Sequence, residues 1–360
     1  MKKLSLILVV LLVLTGTSLV AAQEDGIETV CLVTDTGRIN DGSFNQNSYE
    51  GVLMAAEEYD LETTYIETVA ETDYEANINS CIEEGYEVIV TVGFLMADAT
   101  YAAAEANPDV YFIGVDHFLM EGPENYTSVV FREDQAGFLA GVLAALIAEE
   151  MDADTIAGIY GMEIPPVVKF RNGYEQGAMY INPDLNILGV YIASFVDAAA
   201  GASAAEQFMG EGAVVIFGAG GQTGSGGILA AAAEGVYVIG VDQDEYNTTF
   251  GEGETPGSEY LITSAMKRLD VAVSGVVSIL AEGEMDDFVG GGMMVLDASM
   301  DGIGLADPHD SDIDEELFEA VAEIYELLAS GDLDTGVDPN TGVLLCDEET
   351  EECEVPETDE

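Results

Sequence analysis

Two Gly-Val-Asp phrases and two phenylalanines are the residues of this sequence best suited to bind a small polar molecule. Asp116 and Asp242 each follow an apolar run, and a carboxylate there can accept hydrogen bonds from sugar hydroxyls or from a base edge. Phe44 and Phe195 lie one in each half of the chain, and two facing rings can hold a flat base by stacking, worth about 1–3 kcal/mol per base. Each of these residues can also have a purely structural role, because such an Asp can cap the next helix and most Phe side chains pack into a core.

A glycine-rich run, Gly220-x-x-x-Gly224-x-Gly226, resembles the phosphate-binding loop of short-chain dehydrogenases. Such loops normally occupy the first strand-to-helix turn, with an acidic residue about 20 positions further on, whereas this run lies deep in the chain. No Tyr is followed four positions later by Lys, and the sequence has no Gly-Lys-Ser/Thr loop and no His-Glu-x-x-His motif. We therefore predict that the backbone of this glycine-rich run approaches a ligand or a hinge closely. We expect no cofactor and no catalysis.

Apolar strand patterns alternate with helical patterns along most of the chain. The pattern restarts after about residue 135, and the predicted strands are 28–34, 62–69, 88–92, 110–115, 155–160, 186–192, 213–217 and 237–241. Such alternation is typical of parallel sheets covered by helices on both faces. Two successive units predict two doubly wound lobes, and ligands of such sheets bind outside the carboxyl ends of the strands. Phe94, like the two Asp residues above, follows a predicted strand and is expected at that edge.

The charge balance is strongly acidic. The 70 Asp and Glu residues face 8 Lys and Arg residues, for a net charge of -62. Such a chain is repelled by phosphates and anionic membranes, which excludes a nucleic-acid partner. We interpret the acidity as a solvated surface suited to high salt, where charge repulsion is screened. The few basic residues beyond position 22 are expected to pair with a carboxylate or a ligand: Arg38, Arg132, Lys169, Arg171, Lys267 and Arg268.

The N-terminus has the layout of a secretory signal peptide. Lys2 and Lys3 precede an apolar run at 4–14 and a small, polar stretch at 15–22, which predicts a signal peptide at 1–22 with cleavage near Gln23. A retained anchor is the alternative, although the run is shorter than the about 20 residues that span a bilayer. The mature protein is therefore expected to be exported, at the cell surface or in the periplasm.

Export permits disulfides among the four cysteines. Cys31 lies on the first predicted strand and Cys81 on an early helix of the same lobe, so a bridge between them can form. Cys346 and Cys353 flank a mostly acidic stretch; a local bridge is one interpretation and a metal site the other, although two thiolates without a nearby His are a poor zinc set. No metal site is predicted.

Several motifs in order resemble the basic membrane protein (Bmp/PnrA-like) family of nucleoside-binding proteins for ABC transporters. The resemblance covers about residues 28–306, and its markers are GRINDGSFN at 37–45, VGF at 92–94, FREDQAGFLAG at 131–141, GMEIP at 161–165, FRNGY at 170–174, AGGQTG at 219–224, GVDQD at 240–244 and SAMKR at 264–268. It implies a type I periplasmic-binding-protein fold whose two lobes are joined by a hinge. The lobes would comprise 27–134 plus about 262–289, and 135–261 plus about 290–330, followed by an acidic tail at 331–360.

The resemblance also implies roles for particular residues. The base would lie between Phe44 and Phe195, with Asn45 and Asp116 facing it. Asp242 and Lys267 would hold the ribose hydroxyls. The remaining expected ligand-binding positions are Asp41, which would shape the first loop, Phe94, and the glycine backbone at Gly218, Gly220 and Gly221.

The expected function is that of the extracytoplasmic substrate-binding protein of an ABC importer. It would capture a purine nucleoside of the adenosine, guanosine or inosine type as a monomer and pass it to a membrane permease. Two departures from the family pattern stand out: Glu245 occupies a position where Gln is common, and the lipid-bearing Cys of the family is missing. The alternatives are a ligand-sensing receptor domain and, less favoured, a nucleoside-processing enzyme.

Overall fold

The structure, a computed structural model, describes residues 26–345 of the 360-residue chain. Two six-stranded sheets, each covered by helices, make up the described chain. Several strands are buried along their whole length and consist mainly of apolar residues, as parallel strands covered on both faces do. The predicted α/β architecture of two parallel-sheet lobes is confirmed.

The strands of the first sheet are β1 (Thr29–Val33), β2 (Glu62–Ile66), β3 (Val88–Val92), β4 (Tyr111–Val115), β5 (Tyr126–Phe131) and β11 (Met293–Leu296). This sheet is parallel throughout and has the order β11-β5-β4-β3-β1-β2. Its helices are α1 (Phe44–Tyr59), α2 (Tyr74–Glu84), α3 (Ala97–Ala106) and α8 (Leu269–Glu282). Helices α1 and α8 pack on each other, as do α2 and α3.

The strands of the second sheet are β6 (Thr155–Tyr160), β7 (Asn186–Tyr191), β8 (Val215–Ala219), β9 (Tyr237–Asp242), β10 (Leu261–Lys267) and β12 (Ile303–Leu305). This sheet has the order β12-β10-β9-β8-β6-β7, and of these strands only the edge strand β12 is antiparallel. Its helices are α4 (Glu133–Glu150), α5 (Pro165–Ile181), α6 (Ala198–Gly210), α7 (Gly221–Ala233) and α9 (Glu315–Ser330).

The described chain passes between the sheets after β5, after β10 and after β11. Neighbouring crossing segments are hydrogen-bonded: Arg132 N donates to Leu296 O at 2.9 Å, and Arg268 N donates to Gly302 O at 3.0 Å. Two of these crossings occur at other positions in the chain than the lobe boundaries expected from the sequence. Strand β10 lies in the second sheet although 262–289 was expected in the first lobe, and β11 completes the first sheet although 290–330 was expected in the second. Long-range strand pairing decides both positions.

Helices α4 and α5 approach each other closely through glycines. A Cβ atom on Gly137 would lie 2.3 Å from Phe170 O, and one on Gly173 would lie 2.1 Å from Asp134 O. Nearly all of α4 is buried, which explains why its sequence is apolar on every side. The contact holds the first turns of the two helices in a defined position beside the cleft between the sheets.

A disulfide joins Cys31 on β1 to Cys81 on α2, with the two Cα atoms 6.0 Å apart. Both residues lie in the core of the first lobe. The predicted signal peptide at 1–22 and the cysteines Cys346 and Cys353 lie outside the described residues.

Part of the stretch expected to be an acidic tail is folded. Residues 335–345, here called the C-terminal hairpin, contain a bridge between Val337 and Leu344, and Thr335 and Val337 are buried. Thr335 Oγ1 donates to Asp134 Oδ2 at 2.6 Å, and Asn172 Nδ2 donates to Gly342 O at 2.6 Å. The hairpin is therefore attached to the first turns of α4 and α5. Within residues 26–345, no helix is both long and apolar enough to cross a membrane.

Candidate ligand-binding site

A cleft lies between the two sheets, at the carboxyl ends of their strands. Its empty volume is about 640 Å³, which includes space open to solvent. Every predicted ligand-binding residue except Gly218 lines it, namely Asp41, Phe44, Asn45, Phe94, Asp116, Phe195, Gly220, Gly221, Asp242 and Lys267. The strand-end rule explains why positions so distant in sequence meet here.

Aromatic rings enter the cleft from both lobes. Phe44 is the first residue of α1, and Phe195 follows β7 in the other lobe. Both rings are partly buried and keep surface free for a ligand. Phe94 joins them from the first lobe and Phe170 from α5. Both lobes therefore contribute aromatic side chains to the lining of the cleft.

Asp116 and Asp242 occupy matching positions, each at the end of a strand with a left-handed backbone (φ 61° and 67°). Both are buried, and burial is the main cause that raises the pKa of each carboxyl. The pKa of Asp242 reaches about 8, although Lys267 opposes the rise. Asp116 Oδ1 is buried and has no hydrogen-bond partner among the described residues. This oxygen can accept a hydrogen bond from a ligand.

Asn45 forms its side-chain hydrogen bonds with the protein. Its Nδ2 donates to Asp35 Oδ1 at 3.0 Å and to Asp41 Oδ2 at 2.9 Å, and its Oδ1 accepts from Asp35 N at 3.3 Å. Asn45 was expected to face the base, yet its side-chain amide already donates to two carboxylates. Its structural role is to join two acidic side chains that line the cleft.

Asp41 holds the first turn of α1. Its carboxylate accepts backbone N–H bonds from Ser43, Asn45 and Gln46 at 3.0–3.1 Å. Capping of this kind satisfies donors that the first turn of a helix leaves unpaired. Asp41 thereby positions Phe44, which lies within the capped turn.

Asp35 is a cleft residue that the sequence analysis did not single out. Burial raises its pKa to about 7, and its hydrogen bond with Asn45 opposes the rise. The signal was present in the sequence, because Asp35 follows β1 closely, as Asp116 follows β4. The apolar side formed by Ile164, Pro166 and Val167 was also missed, because apolar residues at the start of a helix carry no distinguishing pattern.

Lys267 is the one basic side chain that lines the cleft among the described residues. Its Nζ contacts Asp116 Oδ2 at 2.6 Å and Glu133 Oε1 at 2.8 Å. It also lies 5.1 Å from the ring centre of Phe44, a cation–π contact. Burial favours the neutral amine, but Asp116, Glu133 and Asp242 outweigh it and raise the pKa of Lys267, which keeps the ammonium charged.

The glycine-rich run packs the second lobe closely. A Cβ on Gly220 would lie 2.3 Å from Gly161 N, and Gly221 has φ +55° beside Phe195 O. Gly218 does not line the cleft, because it faces helix α7, where a Cβ would lie 2.7 Å from Ile228 Cγ2. These glycines bring protein backbones together, and two of them also border the cleft.

The two lobes are hydrogen-bonded across the cleft. Asn47 Nδ2 on α1 donates to Lys267 O at 3.0 Å, and Thr248 Oγ1 donates to Gly42 O at 2.7 Å. Gln243 Nε2 donates to Ser43 O at 3.3 Å. The start of α1 thus contacts the ends of β9 and β10, and the structure shows the lobes in contact.

Other polar residues near the cleft serve the fold. Glu245 is buried and accepts from Ser225 Oγ at 2.8 Å and from Val241 N at 3.1 Å, and burial raises its pKa to about 7. His117 is buried against Gly93 O and Tyr126 Oη, and burial lowers its pKa to about 3, so the ring is neutral. Across residues 26–345, no set of three His, Cys, Asp or Glu side chains is placed to hold a metal ion.

Two parallel-sheet lobes with a cleft between them form the fold of periplasmic-type solute-binding proteins. A solute-binding protein of an ABC transporter from Aeropyrum pernix K1 has the same fold, with a TM-score of 0.74, 25% identity, and 85% of this chain and 92% of that chain covered. The family described as "ABC transporter substrate-binding protein PnrA-like" matches residues 28–326, and the chain belongs to this family.

Two relatives are similar to this protein over most of its length. The ABC transporter nucleoside-binding protein BmpA of Lactococcus lactis subsp. cremoris is 31% identical over 309 residues, or 82% of this chain and 86% of the relative. The CD4+ T-cell-stimulating antigen of Listeria monocytogenes serovar 1/2a is 30% identical over 322 residues, which cover 85% of this chain and 87% of the relative. The resemblance seen in the sequence is confirmed, and substrate-binding proteins of ABC transporters bind small ligands and a permease.

Proposed function

We propose that this protein captures a purine nucleoside in the cleft between its lobes and delivers it to an ABC permease. The observation that carries the proposal is the pair of rings, Phe44 and Phe195, that enters one cleft from opposite lobes beside the free carboxylate oxygen of Asp116. A purine offers two flat faces, and a ribose offers hydroxyl donors. The Lactococcus relative named as a nucleoside-binding protein supports the same ligand class.

The charge of the cleft favours a nucleoside over a nucleotide. The cleft is lined by Asp35, Asp41, Asp116 and Asp242 but by a single lysine, which is already engaged by carboxylates. A phosphate group would therefore find no free cation among the residues that line the cleft. We therefore expect inosine, adenosine or guanosine to bind and the corresponding 5′-phosphates to be rejected.

Calorimetric titration at high salt tests the ligand class. The panel is inosine, adenosine, guanosine, their 5′-monophosphates, free ribose and free hypoxanthine. At least one nucleoside is expected to bind more tightly than its base, its sugar or its phosphate. Failure of all three nucleosides, or equal binding of the phosphates, would contradict the proposal. Release of base and sugar from inosine during the titration would favour the enzyme alternative instead.

The stacking part of the proposal has its own test. Phe195→Ala is expected to weaken nucleoside binding by about 5- to 150-fold, the equivalent of 1–3 kcal/mol for one stacked base. Phe208→Leu is the matched control, because Phe208 is buried in the core of the same lobe and does not line the cleft. If Phe195→Ala binds the nucleoside as tightly as wild type does, the proposed stacking between Phe44 and Phe195 is wrong.

We further propose that the protein acts outside the cytoplasm, as a monomer and without catalysis. The predicted signal peptide and the Cys31–Cys81 disulfide support export, because such bonds persist in oxidising compartments. Cell fractionation and size-exclusion chromatography at high salt test these expectations. Cytoplasmic retention would contradict export, and a dimer mass would contradict the monomer.

A further inference from the structure

The two lysines beyond the predicted signal peptide are both buried and both contact one carboxylate, Glu133. Lys169 is 4% exposed, Lys267 is 1% exposed and Glu133 is fully buried. Lys267 Nζ lies 2.8 Å from Glu133 Oε1, and Lys169 Nζ contacts Glu133 Oε2. In a chain with so few basic residues, burying both lysines on one acid is a costly arrangement unless each charge is paired.

Glu133 and Lys169 are held rigidly. Glu133 begins α4, Lys169 lies in the first turns of α5, and the two helices touch backbone to backbone at Gly137 and Gly173. Lys169 Nζ also donates to Phe131 O at 2.8 Å, which fixes the end of β5. Burial opposes ionisation of Glu133, but Lys169 and Lys267 outweigh it and lower its pKa, so Glu133 carries its charge.

The pairing determines what Lys267 leaves free. Lys267 uses one donor on Asp116 Oδ2 and another on Glu133 Oε1, while Asp116 Oδ1 is buried and has no partner among the described residues. Asp116 itself lines the cleft. Without the negative charge of Glu133, the ammonium of Lys267 would have Asp116 as its strongest partner. It could then engage both oxygens of Asp116 and take the acceptor from a ligand.

We propose that Glu133 and Lys169, which are not among the residues that line the cleft, are positioning residues for ligand binding. Glu133 draws Lys267 to one oxygen of Asp116 and so keeps the other oxygen for the ligand. Lys169 balances the charge of Glu133 and fixes its carboxylate. The inference rests on the proposed function insofar as Asp116 contacts the nucleoside.

A double-mutant cycle tests the coupling. Glu133→Gln is expected to weaken binding of the nucleoside that wild type prefers (inosine, adenosine or guanosine) by about tenfold, within the coupling range of residues in one network. In an Asp116→Asn background the same change is expected to cost much less. Additive losses, which a merely structural role would produce, would overturn the proposal.

The matched control is Glu175→Gln, which breaks the partly exposed Arg171–Glu175 pair on α5 and is expected to leave affinity unchanged. If Glu133→Gln does not fold, Lys169→Gln is the alternative variant, because it removes the charge that balances Glu133. It is expected to weaken binding, and Lys169→Arg is expected to recover part of the loss. Wild-type affinity in both Glu133→Gln and Lys169→Gln would contradict the proposal.

A measurement without ligand separates this inference from the proposed function. In a crystal structure of ligand-free Glu133→Gln protein, Lys267 Nζ is expected within hydrogen-bond distance of Asp116 Oδ1. An unmoved Lys267 overturns the positioning role whatever the ligand is. Conversely, a wild type that binds no nucleoside contradicts the proposed function, while a shifted Lys267 still supports the positioning role.

Discussion

The ring of Phe195 lies against the backbone of Gly161, so closely that a Cβ atom on Gly161 would be 2.3 Å from Phe195 Cε1. Gly161 follows β6 and donates its N–H to Ala219 O at 3.0 Å, which ties it to the adjacent strand β8. Phe195 follows β7, the strand on the other side of β6. A glycine at 161 therefore sets how deeply the ring enters the cleft.

Gly161→Ala is expected to displace the ring of Phe195 and to weaken nucleoside binding by about tenfold, comparable to loss of part of a stacking contact. Gly210→Ala is the matched control, because a Cβ on Gly210 would meet nothing within 4 Å. Calorimetric affinities of the two variants provide the comparison. Equal binding by Gly161→Ala and wild type would show that the position of the ring does not depend on this glycine.

Asp242 is expected to make the stability of the ligand-free protein depend on pH. Burial raises its pKa from 3.8 to about 8, so the folded state keeps a proton that the unfolded chain loses above about pH 4. The stability contributed by this protonation therefore falls as the pH rises from about 4 to about 8, by at most about 1.4 kcal/mol per pH unit.

The Asp242→Asn variant should lose this part of the pH dependence. Denaturant unfolding of wild type and variant at about pH 5 and about pH 8, at the same high salt, measures the difference. Wild type is expected to lose more stability than the variant over this interval. Parallel losses would mean that Asp242 does not bind a proton in the folded state. Asp109→Asn, at an exposed position in the turn before β4, serves as the control.

The Cys31–Cys81 disulfide is expected to stabilise the first lobe by about 2–4 kcal/mol, since it closes a separation of 50 residues in the unfolded chain. The measurement is denaturant unfolding of a Cys346→Ser/Cys353→Ser background under oxidising and reducing conditions. The reduced protein keeps both buried sulfur atoms, so loss of packing does not contribute. Identical midpoints in the two conditions would refute the expectation.

The C-terminal hairpin is expected to stabilise the first turns of α4 and α5. A chain ending at Asp334 loses the buried hydrogen bond from Thr335 to Asp134 and the partly buried one from Asn172 to Gly342 O. Loss of the buried bond alone costs about 1–3 kcal/mol. A chain ending at Leu345 is the control, because it retains the hairpin. Thermal unfolding should separate the two chains, and equal melting temperatures would show that the hairpin contributes nothing.

Much of the site could be predicted because parallel strands share a direction. An acidic or aromatic residue just after an apolar run must lie at the carboxyl edge of its sheet, so Asp116, Asp242 and Phe195 could be assigned to a cleft without coordinates. Asp35 followed the same rule and could have been found by applying it to β1. The alternation of apolar runs and helical patterns likewise determined the two-lobed architecture.

Side-chain partners could not be predicted in this way. Asn45 uses its amide on Asp35 and Asp41, and Gly218 faces α7, because local packing decides where a side chain or a missing Cβ points. The exchange of β10 and β11 between the sheets depends on strand pairing between segments distant in sequence.

The sequence by itself therefore determined the class of fold, the edge of the sheets at which the cleft lies and about half of the residues that line it. Periodicity and strand direction are local properties that the order of residues expresses directly. Only the tertiary structure decided which lysine meets which acid and which carboxylate oxygen stays free. Glu133, Lys169 and Lys267 meet because two helices and a strand end pack at one place, and burial there makes each unpaired charge costly.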